Sequence, residues 1–361
     1  MLGKYDALLA RSINSAETYT QILSRFPSAH PLQSWAWGEL KSRWGWQMLP
    51  TVWELAGKPV AVAMLLKRPV PYTPFTMLYA PKGPVLDYAN SELRRTILTR
   101  LQAMARSEQA ILVKIDPDVV QATGAESAEP NPLGQAFIAD MQVRGWQFSA
   151  EQIQFRNTVT LDLTQPEDDI LRQMKQKTRY NIRLATRREV TVRTGTANDF
   201  PLLASLYATT SERNEFAIRP KSYYLDVWDT FDQAGMLHLL IAEYAGKPLA
   251  AVVIIHNGQT ALYMYGASNN SERKRMPTYL LQWEAIKWAK AQGCTLYDFW
   301  GAPDEFVESD RMWGVWRFKR GFNATVAHHV GAWDYPAYPL LYKSLNELLP
   351  RYRNLLRKKQ S

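Results

Sequence analysis

"AGKPVAVAMLL" at residues 56–66 and "AGKPLAAVVII" at residues 245–255 are one phrase written twice. Ala-Gly-Lys-Pro recurs intact, and each copy then turns apolar. Gly suits a tight turn, Pro suits the start of a strand, and an unbroken apolar run suits a strand buried on both faces. The surroundings match as well. After the first copy come the strand pattern "LYAPKGPVL" (78–86), a helical pattern over 91–108 and the strand pattern "AILVKIDP" (110–117). After the second come "ALYMYGAS" (261–268), a helical pattern over 278–291 and "TLYDFWG" (295–301). Helical segments precede both copies, "QSWAWGELKSRW" (33–44) and "DFPLLASLYATTSERN" (199–214). The order strand–strand–strand–helix–strand, occurring twice, predicts an α/β (α+β) chain of two tandem acetyltransferase-like domains with mixed sheets, arising from duplication.

The boundary is expected near 150–156. Residues 117–134, rich in Pro, Gly, Ala and Glu, read as an exposed loop, and "NTVTLDLT" (157–164) opens a fresh strand. The expected domains are 1–155 with 322–361, because the chain after Phe322 has no strand left to supply to the second half, and 156–321. The acetyltransferase fold grips CoA pyrophosphate with a glycine-rich loop at a helix N-terminus. Neither "SERKRMPTYLLQW" (271–283) nor "DYANSELRRTIL" (87–98) contains a glycine, and Pro277 lacks a donor N–H. An ordinary CoA site is not expected, and no other cofactor is.

The formal net charge of +9 points to a polyanionic partner. The charge is concentrated in "LRQMKQKTRYNIRLATRREV" (171–190) and in the tail "RYRNLLRKKQS" (351–361). Arg172, Lys175, Arg179 and Arg183 recur at helical spacing and form one predicted stripe. A solvated helix face explains such a stripe as well as a nucleic-acid backbone does. The single cysteine excludes an internal disulfide framework and fits a cytoplasmic protein. No apolar run reaches the roughly 20 residues of a membrane span, and the N-terminal "MLGKYDALLARSIN" lacks the apolar centre of a secretory signal. The histidines His30, His238, His256, His328 and His329 offer only one adjacent pair, which on a strand would face opposite ways. No metal site is expected.

Several phrases in this order resemble the Fem family of peptidyltransferases, which build peptidoglycan bridges. They are "QSWAWGELKSRWGW" (33–46), "LYAPKGPV" (78–85), "VKIDPD" (113–118), "MKQKTRYNIRLATRREV" (174–190), "RPKSYY" (219–224), "GKPLAAVVIIHNGQTALYMYGAS" (246–268), "MPTYLLQWEAIKWAKAQGCTLYDFWG" (276–301) and "RFKRGF" (317–322). Only a short stretch separates "RLATRREV" from the helix at 199–214, so the long coiled-coil arm of some members is not expected. The resemblance implies transfer of an amino acid from aminoacyl-tRNA to an amine of a nucleotide-linked or lipid-linked peptidoglycan-precursor stem peptide. The alternatives are an acyl-CoA-type N-acyltransferase and a non-enzymatic RNA-binding module.

Aminolysis of an ester requires a cation or donor at the carbonyl oxygen, a clamp for the acceptor and a grip on the tRNA. In "VWRFKRGF" (315–322) the resemblance gives Phe318 to the tRNA acceptor end and Lys319 to the developing negative charge. Read from spacing alone, Lys319 is a strand lysine snorkelling between aromatics. The resemblance gives Lys41 to the precursor diphosphate, with Arg219 and Tyr223 as an Arg-x-x-x-Tyr pair. Arg213 is a competing cation, and the planar fork of an arginine suits phosphate. Asp116 ends a strand and either caps a turn or orients the incoming amine. Tyr263 and Tyr265 alternate with Leu262 and Met264, which predicts one shared strand face, as core or as pocket wall toward the precursor. The basic tail over 343–359 suits contact with an anionic membrane or a solvated terminal helix.

Overall fold

A computed structural model describes residues 4–5, 7–214 and 218–345. The duplicated phrase forms two hairpins of the same design. Gln47–Leu55 pairs with Lys58–Pro69 across Ala56-Gly57, and Leu237–Tyr244 pairs with Lys247–Asn257 across Ala245-Gly246. Both residues of each turn have positive φ, +49° and +74° in the first and +48° and +70° in the second. That is the conformation a two-residue hairpin needs to match strand twist. Both hairpins also carry a bulge at the same place, between Trp53 and Glu54 and between Ala242 and Glu243.

Each hairpin continues into a third strand, a crossover helix and a parallel strand, as the sequence predicts. In the first half these are Thr76–Pro81, Ser91–Ser107 and Ala110–Asp116. In the second they are Thr260–Ser268, Pro277–Ala291 and Leu296–Gly301. The crossover helices cover the outer face of their own sheets, and three large apolar clusters result, beside a small fourth around Val70, Ile111, Leu112 and Tyr342. One lies under each outer face. The third lies between the halves, where Trp37, Val62 and Met64 of the first meet Trp228, Phe231 and Val253 of the second. The helices Trp35–Arg43 and Lys221–Gln233 meet there, tied by Arg43 and the Trp44 indole on Asp226.

Strand pairing crosses the expected division of the chain. Residues 117–134 are not a loop. Val120–Thr123 and, at the edge, Glu129–Pro130 are strands of the second sheet, and Pro132–Val143 is a helix. Thr325–His329 also belongs to the second sheet, between Asn157–Asp162 and Val120–Thr123. The chain re-enters the first sheet only at Trp333–Pro336, beside Ala110–Asp116. Val120–Thr123, Glu129–Pro130 and Thr325–His329, all expected in the first half, therefore complete the second sheet, while 156–321 lends no described strand to the first. Pro130 lies in the short edge strand, where a proline is tolerated, while Gly124, with φ +109°, lies in the turn before it and Pro132 opens the helix. No described helix is long and apolar enough to cross a membrane. Most of the basic tail, residues 346–361, lies outside the described residues.

Candidate active site at the seam

"VWRFKRGF" is not a strand. Trp313–Lys319 is a helix, continued by one 3-10 turn over Arg320–Phe322. Trp316, Lys319 and Phe322 recur every three residues and face inward. Arg317 is exposed, and Arg320 sits beside the Trp313 ring at 5.9 Å. Lys319 is buried, and its ammonium donates to the carbonyls of Trp300 (3.1 Å) and Gly301 at the end of the strand Leu296–Gly301. Burial pushes its pKa down to about 7, against the opposing pull of the Asp298 carboxylate. Phe318 touches Tyr279 and Phe322 edge-on, at 5.1 and 5.2 Å.

Beside them opens a cleft of about 380 Å³ lined by Lys175, Lys177, Thr178, Tyr279, Arg317, Phe318, Arg320 and two glycines. Four cations and no carboxylate line it. The predicted basic stripe is broken at this point. Glu167–Gln173 and Gln176–Arg187 are separate helices, parted at Met174-Lys175. Arg172 ends the first helix and pairs with Asp169 at 2.6 Å. Arg179 turns back to the carbonyls of Arg172 and Met174, a helix-end contact. Lys175 remains at the cleft, and Arg183 is exposed farther along the second helix. Even helical spacing cannot reveal such a break when no proline or glycine marks it.

A second group of cations lies where the helix Trp35–Arg43 meets the second half. The Lys41 ammonium lies 5.0 Å from the Trp37 ring and 5.5 Å from the Tyr223 ring. The Arg219 guanidinium lies 4.7 Å from Tyr223. Burial, then repulsion from Arg219 and Arg68, lowers the Lys41 pKa to about 8. Arg68, stacked on Trp46 at 5.4 Å, is a third cation that the sequence reading missed. Its signal was its position at the end of the repeated apolar strand. Arg213 is not part of this group, since it bonds the Ser268 carbonyl and side chain.

Tyr265 joins this group through edge contacts to Tyr224 and Tyr207. Tyr263 does not. The register passes from Ile254 opposite Tyr263 to Val253 opposite Tyr265, so Met264 is bulged out. The bulge turns the two tyrosines to opposite faces. Tyr263 packs into the outer cluster of the second half and Tyr265 into the cluster between the halves.

Asp116 is buried at the end of its strand. It accepts from the Tyr79 hydroxyl and the Gln154 amide, both at 3.3 Å. Burial raises its pKa, and the nearby Lys82 opposes the rise. Lys82 also lies 3.4 Å from Asp118, which in turn meets His329 at 3.0 Å. Burial would raise Asp118, but Lys82 and His329 outweigh it and hold the carboxyl far below its usual range. Lys82, Asp118 and His329 escaped the sequence reading because long-range strand exchange assembles them.

A family model described as the FemAB family matches residues 15–247 and 240–349. The chain belongs to the FemAB family. The lipid II:glycine glycyltransferase of Staphylococcus epidermidis is 24% identical over 394 residues, covering 90% of this chain and 93% of that protein. The crystal structure of FemX superposes with a TM-score of 0.82 at 22% identity, covering 93% of this chain and 99% of that one. A tandem GNAT protein from the clavulanic acid biosynthesis pathway superposes with a TM-score of 0.53 at 13% identity, covering 91% and 98%. Both solved structures share the two-domain acetyltransferase-like fold with this FemAB chain.

Proposed function

We propose that this FemAB protein transfers an aminoacyl group from the ester of an aminoacyl-tRNA to an amine of a peptidoglycan-precursor stem peptide. The observation that carries the reading is Lys319. Its buried ammonium bonds two backbone carbonyls, and the adjacent Phe318 lines a cleft that carries four cations and no carboxylate. An ammonium has three N–H donors, so one is left for an oxygen that gains charge. The amine nitrogen attacks the ester carbonyl, the C–N bond forms and the C–O bond to the ribose breaks. The proton lost by the amine passes to the leaving ribose oxygen. Lys319 stabilises the oxyanion, and Phe318 with Tyr279 offers aromatic faces to the acceptor end.

Lys175, Lys177, Arg317 and Arg320 suit the phosphates of that strand. Lys41, Arg68 and Arg219 suit a diphosphate, with Tyr223 and Tyr265 as walls. Asp116 orients the incoming amine. The lipid II named for the staphylococcal relative supports a lipid-linked acceptor.

The test supplies a mixed pool of aminoacylated tRNAs with either a nucleotide-linked or a lipid-linked precursor, at low salt. Mass spectrometry then looks for the mass of one added amino acid. No addition to either acceptor overturns the proposal.

A further inference from the structure

Trp300 has φ +63°, a left-handed backbone that a bulky aromatic residue rarely adopts. Lys82, whose ammonium lies 5.7 Å from the Trp300 ring, is also left-handed, with φ +53°. Two such residues in contact mark the seam as a place where the fold holds the chain against its preference. The Trp300 amide is fixed from the second half, because it donates to Asp298 Oδ1 at 2.7 Å. The Trp300 ring is seated against residues outside that strand. His30 lies 5.3 Å away, Phe155 meets it edge-on at 5.9 Å, and Lys82 completes the seat. The Trp300 carbonyl and the next one along hold the Lys319 ammonium.

We propose that Trp300 and Asp298 are positioning residues for Lys319. Asp298 locks the turn, the Trp300 ring anchors it to the first half, and the two carbonyls so presented aim the ammonium. Contact with the first half is thereby transmitted to the reacting group of the second. The use of this ammonium in transfer rests on the function proposed above; its positioning does not.

Asp298 is the carboxylate that acts directly on Lys319. Burial raises Asp298 to about 6, with Asp118, His329 and Lys82 acting on it in turn. His30 faces the same cluster, and Arg317 and Arg320, close to Lys319 in the chain, line the cleft with Lys175 and Lys177.

The test follows the ¹³Cε signal of Lys319 in lysine-labelled full-length protein by NMR, assigned by its loss in Lys319→Met. The wild type is expected to titrate near 7. Asp298→Asn keeps an oxygen acceptor for the turn but removes the charge, so the midpoint falls. Trp300→Gly tolerates the left-handed backbone but removes the ring. Water then reaches the ammonium, and the midpoint rises toward the ordinary lysine range. Trp300→Phe restores a ring and returns the midpoint toward wild type. Unchanged titration in both Asp298→Asn and Trp300→Gly overturns the proposal.

Should Trp300→Gly fail to fold by circular dichroism, Asp298→Asn decides alone. Transfer assays add a second readout. Trp300→Gly is expected to lower kcat by roughly 100-fold, the cost of a misplacement near 1 Å, with the precursor KM little changed. Shifted titration without any transfer in the wild type would overturn the proposed function and leave the positioning of Lys319 standing.

Discussion

Both halves contain a place where neighbouring strands part, and each fills it differently. In the first half the parallel pair stays joined from Thr76/Ala110 to Pro81/Asp116. The parting there is in the antiparallel pair, between Leu66/Tyr79 and Val62/Val85. The buried Gln33 side chain fills the gap, accepting from Met64 N at 2.9 Å and donating to the Pro81 carbonyl at 2.6 Å. In the second half the parallel pair is joined only from Thr260/Leu296 to Leu262/Asp298. Beyond it, Lys319 reaches the carbonyls of Trp300 and Gly301. An amide has both donors and an acceptor, so it can satisfy both sides of a gap and remain neutral. An ammonium satisfies carbonyls only, and it brings a charge into a poorly solvated site. The first half has sealed its split with a neutral amide, and the second holds an ammonium beside its own.

The sharpest break of this comparison exchanges rate for stability. Lys319→Met is expected to lower the transfer rate by about 10²–10³-fold, the usual loss when one oxyanion donor is removed. Precursor binding should persist, measured by titration calorimetry. Gln33→Leu should do the opposite. It leaves the Met64 N–H and the Pro81 carbonyl unpaired, each costing about 1–3 kcal/mol, and lowers the denaturation midpoint while the folded fraction keeps its turnover. If Gln33→Leu abolishes turnover in folded protein, the two gaps are not different in kind.

The charge on Lys319 gives a smaller, graded effect. Its folded pKa, near 7, lies below the ordinary lysine value, so the cation is present below pH 7 and lost above it. The attacking amine works in the other sense, since only its neutral form reacts and that fraction grows with pH. Transfer by the wild type should therefore climb up to about pH 7 and then level off. Lys319→Arg stays charged throughout. Its rate should begin lower and continue to climb past pH 7. A wild-type profile without a break near neutrality would remove Lys319 as the oxyanion cation.

Lys41, Arg68 and Arg219 should respond through binding rather than rate. Hydrogen bonds to charged groups are worth about 1.5–3 kcal/mol, so Arg219→Ala and Lys41→Ala should each raise the precursor KM roughly 10- to 100-fold, with kcat almost unchanged. Lys41 has a pKa near 8, so the wild-type KM should rise above pH 8 as its charge is lost. Arg68→Ala should follow the same pattern. A fall in kcat instead would place these cations at the reacting atoms.

How legible all this was in the sequence depended on range. The duplicated hairpins were readable because a turn and its strand are local, and the same residues impose the same positive φ and the same bulge twice. The crossover helices were readable from their period. The passage of strands into the second sheet was not, since Val120–Thr123 finds its partner Thr325–His329 some two hundred residues away and carries no local mark of it. Alternation misjudged Tyr263 and Tyr265, because one bulged residue, Met264, reverses a face without changing the composition. In "VWRFKRGF" the cation was recognised but its element was not. A period of three reads much like alternation when aromatic and basic residues are interleaved over only eight positions.

The smallest expected effect lies within the second half and separates its cations from one another. Lys177 and Arg320 line the cleft with no carboxylate beside them, whereas Arg172 is 74% exposed and already paired with Asp169. Each phosphate contact contributes about 0.7–0.9 to the slope of log affinity against log salt concentration. Lys177→Ala and Arg320→Ala should each reduce that slope by about this amount for binding of an uncharged-ester mimic of aminoacylated tRNA, measured by fluorescence anisotropy. Arg172→Ala should leave it unchanged, since an exposed ion pair of this kind is worth only about 0–1 kcal/mol. Equal losses at all three positions would mean that the nucleic acid follows the whole basic face rather than the cleft beside Phe318, and the cleft would lose its claim to the acceptor end.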